Sequence, residues 1–172
     1  MKAIYLITTG GTIEKVHSGQ IGSVANVDGN IDRYLKLLRL PGRDIHVVPL
    51  MNKDSSEMTE EDRVLLLGIV RAVLKENAAI LITHGTDSMV ESGRYLERAL
   101  PGLEVPIVLT GAMTPLGFAG SDGLQNLTES LLAVGLLSSG VYVVIHGQIF
   151  PVSRVRKDLT SSNFVWTDNT LL

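Results

Sequence analysis

The chain contains no cysteine, no long apolar run and no strong excess of either charge. Without cysteine there is no disulfide, no thiolate nucleophile and no cysteine-ligated zinc or iron–sulfur centre. The apolar runs are far shorter than the roughly 20 residues that a membrane-spanning helix needs. The net charge of -3 is spread along the sequence, so nucleic acid and membrane surfaces are not expected partners. The histidines lack metal-ligand spacing, and we expect no metal site.

Five short apolar runs alternate with segments of helical periodicity along the 172 residues. Such runs are typical of strands buried on both faces, and their alternation with helices predicts parallel strands joined by right-handed crossovers. We therefore predict a single α/β domain, a three-layer sandwich with a mostly parallel, doubly wound central sheet. The predicted strands are 3–7, 45–50, 79–82, 105–109 and 141–145, and the predicted helices are 31–40, 59–77, 89–100 and 122–138.

Capping patterns locate three of the helix starts. Ser88 and Glu91 have capping-box spacing, as do Asp122 and Gln125. Thr59 precedes three acidic residues, which favours a helix that begins directly after it.

Two segments outside the predicted elements also carry expectations. Residues 14–30 contain glycines and no helical period, so we predict a surface loop long enough to act as a lid. Residues 148–155 alternate enough for a hairpin or an extended arm. No signal-peptide pattern precedes the first strand, and we expect a cytoplasmic protein.

Threonine-rich turns follow the first and third predicted strands. Their sequences are Thr8-Thr9-Gly10-Gly11-Thr12 and Thr83-His84-Gly85-Thr86-Asp87-Ser88. A doubly wound sheet brings both turns to its carboxyl edge, where ligands bind in such folds. The glycines let backbone approach a ligand closely, but they form neither a Walker loop nor a dinucleotide-binding fingerprint, so nucleotide binding is a distant alternative.

The turns contain two candidate nucleophiles, Thr12 and Thr86. A threonine hydroxyl is weak until a base accepts its proton, and Asp87 and Lys157 are the candidate bases. A base lysine must be partly neutral, whereas a neighbouring Asp87 stabilises the ammonium. Lys157 is therefore a base or a group that orients Asp87 and polarises Thr86. The alternative is that both threonines only cap turns.

Polar residues after the second strand form a third candidate segment. Ser55 and Ser56 could hold a small polar ligand, or they could form a solvated turn. His84 is interpreted as a structural histidine at a strand end.

These segments resemble the motifs of the bacterial-type L-asparaginases, which are threonine amidohydrolases. The resemblance covers about 3–157, in the family's order. Its motifs are Thr9-Gly10-Gly11-Thr12-Ile13, Asp54-Ser55-Ser56-Glu57-Met58, Thr83-His84-Gly85-Thr86-Asp87, Gly111-Ala112-Met113, and Ser121-Asp122-Gly123 followed by Asn126-Leu127.

The resemblance implies hydrolysis of L-asparagine to L-aspartate and ammonia without a cofactor. Thr12 would be the primary nucleophile, and Thr86, Asp87 and Lys157 would form a second triad. Ala112 would place a carbonyl near the leaving amide. The substrate-binding set would be Gly11, Ser55, Ser56, Gly85, Thr86, Asp87 and Ala112.

The sequence departs from the family in three respects. It ends before the smaller C-terminal domain that members usually have, so we expect a single domain that corresponds to their N-terminal one. Because that domain of a neighbouring subunit supplies an acid to the site, we expect a homo-oligomer in which 148–157 or the tail completes the site. No tyrosine lies in 14–31, where the family has one in a mobile loop. Ser56 stands where many secreted members have glutamine.

Two other functions remain compatible with these motifs. One is an amidase for glutamine or another small amide. The other is an inactive module that binds aspartate or asparagine.

Overall fold

The computed structural model describes residues 3–18, 23–26 and 30–167. In chain order these residues form β1 (Ile4–Gly10), β2 (Lys15–Ser18), β3 (Ser23–Asn26), α1 (Asn30–Leu35), β4 (Ile45–Lys53), α2 (Glu60–Leu74), β5 (Ala79–Thr83), α3 (Met89–Ala99), β6 (Pro106–Thr110), α4 (Gly123–Ala133), β7 (Gly140–Ile145), β8 (Gln148–Pro151), β9 (Val155–Asp158) and β10 (Asn163–Trp166).

The main sheet has the strand order β4-β1-β5-β6-β7-β8. Its first five strands are parallel, and β8 pairs with β7 in the antiparallel sense. The chain leaves β1 for one neighbour, β4, and later returns to place β5 on the other side. The carboxyl ends of β1 and β5 therefore lie at the topological switch point, where open α/β sheets bind ligands. The predicted mostly parallel, doubly wound sheet is confirmed.

Alternating strand side chains build a core on each face of the sheet. Ile7, Ile80 and Ile82 pack with apolar residues of α2 and α3 on one face. Leu6 and Leu81 pack with α4 and the first residues of α1 on the other. Strands that are covered on both faces have no face in contact with solvent, which explains their nearly uninterrupted apolar sequence.

The segment expected to be a loop, 14–30, is partly a hairpin. Strands β2 and β3 pair in the antiparallel sense, with Lys15 opposite Asn26 and Val16 opposite Ala25. A two-stranded hairpin needs neither helical periodicity nor a large apolar face, so no pattern in the sequence indicated it. The remaining positions of the expected lid, 19–22 and 27–29, lie outside the described residues.

The three predicted helix starts are confirmed, but the two predicted capping boxes are not formed. Ser88 is the N-cap of α3 but makes no capping bond, and Asp122 makes none at α4. Thr59 does cap α2, in a box that it forms with Asp62. Helices α1, α2 and α4 also end earlier than expected, at Leu35, Leu74 and Ala133. Ser88 and Asp122 instead bond to distant backbone, as described below.

The arm expected over 148–155 comprises β8, a single 3-10 turn at Val152–Arg154, and the start of β9. β9 pairs with β10, so 163–166 belong to a second hairpin. The last five positions of the tail, 168–172, lie outside the described residues.

Candidate active site

Glycines bring three turns into direct backbone contact at the switch point. A Cβ on Gly11 would lie 2.5 Å from Cα of Gly85, and a Cβ on Gly85 would lie 2.5 Å from Cβ of Ser55. A Cβ on Gly10 would likewise lie 2.5 Å from the amide nitrogen of Lys53. Such separations leave no room for a side chain. The predicted meeting of the two threonine turns is therefore confirmed, and the turn after β4 joins them.

Lys157 reaches the second threonine turn from β9. Its Nζ donates to Oγ1 of Thr86 over 2.8 Å and to Oδ1 of Asp87 over 2.6 Å. Thr86 is buried, whereas the Asp87 carboxylate is half exposed. Because Thr86 accepts from the lysine, its own proton is free for donation to a further group. The structure thus brings the Lys157 ammonium to the Thr86 hydroxyl and to the Asp87 carboxylate, which lies 70 positions earlier in the sequence.

Ser55 connects the turn after β4 to the start of α3. Its Oγ accepts from the amide of Asp87 over 3.2 Å, and its carbonyl accepts from Oγ of Ser88 over 2.6 Å. The Ser88 hydroxyl thus donates to the turn after β4 and accepts no capping bond from its own helix. Ser55 is buried, while Ser56 is exposed and donates to the carboxylate of Asp54 over 3.2 Å. Ser56 therefore lies at the surface of the site and Ser55 within it.

Thr12 begins a 3-10 turn directly after Gly11, which has a φ of 81°. It is partly exposed, and within the described residues its hydroxyl has no side-chain hydrogen bond. Glu14, at the end of the same turn, is buried and accepts from Oγ1 of Thr83 over 2.7 Å. Thr12 is thus placed beside Gly85 through its neighbour Gly11.

An ion pair joins the Thr12 turn to the turn that contains Ser55. Nζ of Lys15 lies 2.5 Å from Oδ2 of Asp54. Hydrogen bonds from Lys15 and from the amide of Ser56 hold the pKa of Asp54 below its ordinary value. The carboxylate therefore stays ionised where it orients the start of the Ser55–Glu57 turn.

The fourth polar turn, which contains Ala112, is fixed by Asp122. Its carboxylate accepts from the amides of Met113 and Thr114 over 3.0 and 2.9 Å, and Nε2 of His146 lies 2.7 Å away. Burial alone would raise the pKa of Asp122, but these hydrogen bonds lower it overall. Asp122 thus holds a loop of the site instead of capping α4. Ala112 is buried at the end of β6.

A family model described as "Asparaginase, N-terminal" matches residues 3–165. The chain belongs to the asparaginase family. It is 36% identical over 164 residues to "L-asparaginase 1" of Escherichia coli K12, an alignment that covers 91% of this chain and 47% of that protein. The chain spans about half the length of the curated relatives that it matches.

Solved asparaginase structures have the same fold. The thermostable L-asparaginase from Thermococcus kodakarensis superposes with a TM-score of 0.85 at 28% identity, over 95% of this chain and 51% of that one. The probable cytoplasmic L-asparaginase from Campylobacter jejuni gives a TM-score of 0.83 at 30% identity, over 98% of this chain and 54% of that one. The family and fold implied by the sequence motifs are both confirmed.

His84 of this asparaginase-family chain is structural, as interpreted from the sequence. It is fully buried, with Nδ1 2.7 Å from the carbonyl oxygen of Gly85 and Nε2 2.9 Å from Oγ of Ser92. A carbonyl only accepts, so Nδ1 holds the proton and Nε2 accepts from the serine. Burial lowers the pKa of His84 to about 4. Its neutral ring fixes the Gly85 carbonyl between the two threonine turns.

Some residues of the site were not singled out from the sequence of this asparaginase-family chain. Lys15 pairs with Asp54 across 39 positions, and no spacing rule relates the two. Arg94 donates to two carbonyls of the segment that leads to Lys157. Only the folded chain brings these groups together.

Among the described residues, no helix is long and apolar enough to cross a membrane. Within the same residues, no cluster of His, Asp and Glu side chains could hold a metal ion.

Proposed function

We propose that this chain hydrolyses L-asparagine to L-aspartate and ammonia through a threonine nucleophile. The observation that carries this proposal is the contact of Lys157 with both Thr86 and Asp87, next to the turn that contains Thr12. A hydroxyl, a carboxylate and an ammonium in hydrogen-bonded contact can move protons at neutral pH. The named L-asparaginase relatives support the choice of substrate.

The reaction proceeds in two acyl transfers. Oγ1 of Thr12 attacks the side-chain amide carbon, the carbon–nitrogen bond breaks, and ammonia leaves with the hydroxyl proton. Water then attacks the resulting ester, which releases aspartate and restores the Thr12 hydroxyl. Thr86 carries protons to and from the reacting groups because Lys157 occupies one of its lone pairs and leaves its proton free.

The substrate's charged ends bind at the polar turns. Ser55, Ser56 and Asp87 hold the α-amino and α-carboxylate groups, and the backbone of Gly11, Gly85 and Ala112 surrounds the amide. The exposed Asp87 carboxylate suits an ammonium, since opposite charges attract more strongly where water is displaced. Glutamine, which is one methylene longer, is the competing substrate for the same groups.

A second candidate is a module that binds aspartate or asparagine without turnover. It is favoured by one observation, namely that Thr12 has no acceptor for its proton within the described part of the chain. Such a module would keep the Ser55 and Asp87 contacts and release no ammonia.

The test measures ammonia release from L-asparagine and L-glutamine by the parent chain and by Thr12→Ala and Thr86→Ala. Thr128→Ala is the matched control, since Thr128 is exposed on α4 and its hydroxyl bonds only within that helix. We expect release from asparagine that both site variants reduce by at least about 100-fold and the control leaves unchanged. An inert parent that still binds aspartate would establish the binding module instead.

We further propose that the protein is cytoplasmic and works as a homo-oligomer. The Campylobacter jejuni structure, described as probably cytoplasmic, supports the location. Exposed Leu132, Leu136 and Ile149 offer apolar surface for a second copy. Light scattering at micromolar concentration would give a mass of one chain if the oligomer proposal is wrong.

A further inference from the structure

The segment that carries Lys157 is attached to α3 by one arginine. Nη2 of Arg94 donates to the carbonyl of Val155 over 3.0 Å, and Nε donates to the carbonyl of Val152 over 3.3 Å. Lys157 follows Val155 by two positions, so the arginine holds the backbone directly before the lysine.

Close packing strengthens the same attachment. A Cβ on Gly93 would lie 2.6 Å from Cγ2 of Val152, so the Val152 side chain lies directly against the backbone of the helix. Val152 and Val155 are both fully buried. The segment can shift along α3 only if it loses these contacts and the two hydrogen bonds of Arg94.

The pairing of β8 with β7 ties the residues up to Pro151 to the main sheet, and the contact with α3 continues this attachment to Val155, two positions before Lys157. β9 pairs with β10 in a separate two-stranded sheet and, within the described residues, with no strand of the main sheet. The same helix begins at Ser88, immediately after Thr86 and Asp87. Thr86 and Asp87 therefore directly precede α3, and Arg94, about one and a half turns into the same helix, holds the segment that carries Lys157.

We propose that Arg94 is a positioning residue that sets the distance of Lys157 from Thr86 and Asp87. The inference rests on the proposed function for its effect on catalysis, but its structural part does not. Arg94 contacts backbone carbonyls rather than substrate, and it acts only through the lysine. Its planar fork reaches the two carbonyls from two different nitrogen atoms, whereas a lysine would offer all its donors from a single nitrogen.

The structural test measures acetylation of Lys157 by acetic anhydride, with mass spectrometry to follow each lysine. The Lys157 side chain is 13% exposed and doubly bonded, so we expect slow labelling in the parent, with exposed Lys75 as internal reference. Arg94→Met should speed labelling of Lys157 by about fivefold or more, because local opening becomes easier, and leave Lys75 unchanged. The matched control is Arg98→Met, which removes an exposed charge one turn further along the same helix.

The catalytic test uses a double-mutant cycle with ammonia release from L-asparagine. Arg94→Met should lower kcat by about 10- to 100-fold, with KM affected less, because a catalytic group is displaced. In the Lys157→Met background the same substitution should have no further effect. A residue that only stabilised the fold would act equally in both backgrounds, and Arg94→Lys should recover part of the loss.

The outcomes separate this inference from the proposed function. If the parent releases no ammonia but Arg94→Met still speeds the labelling of Lys157, the positioning role is supported and the proposed reaction is overturned. Unchanged labelling in a folded Arg94→Met variant would overturn the positioning role, whatever the parent hydrolyses. If Arg94→Met does not fold, Arg94→Gln, which keeps a donor but not the fork, decides by the same labelling criterion.

Discussion

Acidification should destabilise the chain through His84, and the structure gives the size of the effect. The ring is fully buried and donates from Nδ1 to a carbonyl, so its neutral form satisfies both nitrogens. Protonation would add a proton at Nε2, where the Ser92 hydroxyl now donates. Burial accordingly lowers the pKa of His84 from 6.5 to about 4.

The unfolded chain takes up this proton at higher pH than the folded one. Between pH 6.5 and about 4 the unfolded state binds more protons, so the free energy of unfolding falls as the pH falls. The loss approaches about 1.4 kcal/mol per pH unit and amounts to about 2.5 kcal/mol at pH 4.5 relative to pH 8. Below pH 4 both states are protonated and the His84 contribution stops changing.

The assay is urea unfolding at a series of pH values, for the parent and for His84→Gln. Trp166 is the single tryptophan, and its ring centroid lies 4.9 Å from that of Phe150, so its fluorescence reports loss of tertiary packing. The variant is less stable throughout, but it lacks the titrating ring. Subtraction of the two free energies at each pH removes the carboxylates common to both, provided that protein concentration is held constant.

The expected result is a parent-minus-variant difference that shrinks by about 2.5 kcal/mol from pH 8 to pH 4.5. A difference that stays constant within about 0.5 kcal/mol would refute the reasoning, because His84 would then bind its proton equally in both states. A difference that changes between pH 6.5 and about 4 and levels off below would support the neutral buried ring.

Two further substitutions test the packing of the site and the cap of α2. Gly85→Ala places a methyl group 2.5 Å from Cβ of Ser55, so we expect a loss of about 1–3 kcal/mol in urea unfolding and of ammonia release. The control Gly68→Ala, in the middle of α2 with nothing within 4 Å, should instead stabilise by up to about 1 kcal/mol. Thr59→Ala removes the hydroxyl half of the capping box with Asp62 and should cost about 1 kcal/mol without altering KM.

The fold was predictable because its signals are local. A buried parallel strand needs apolar residues on both faces, as in 79–82 of β5, and this pattern is visible in the sequence without knowledge of the neighbouring strands. The two threonine turns follow from the same logic, since parallel strands must end at one edge. Their glycines then determine how closely the turns approach, and Gly11 indeed contacts Gly85.

Hydrogen bonds of the polar side chains were less predictable because distant partners can replace the local ones. Ser88 and Asp122 both stand at a helix start with capping-box spacing. Ser88 donates to the carbonyl of Ser55, 33 positions away, and Asp122 accepts from the turn after β6. These side chains bond to backbone groups that the tertiary fold brings within reach, and they do not form the capping bond that the sequence spacing allows. Departures from local rules therefore concentrate at the site, as expected where polar groups serve an arrangement of several segments.

Lys157 illustrates the limit of local reasoning most clearly. The family resemblance singled it out, but nothing in the spacing of 148–157 says that a lysine there returns to a turn 70 positions earlier. It is returned by the pairing of β8 with β7, by the contact of Gly93 with Val152 and by the two hydrogen bonds of Arg94. A glycine followed by an arginine on a half-buried helix face has many uses in proteins, so the pair predicts no partner by itself. Once the partner is known, however, the same pair explains why the lysine is held firmly enough to bond Thr86 and Asp87 at once.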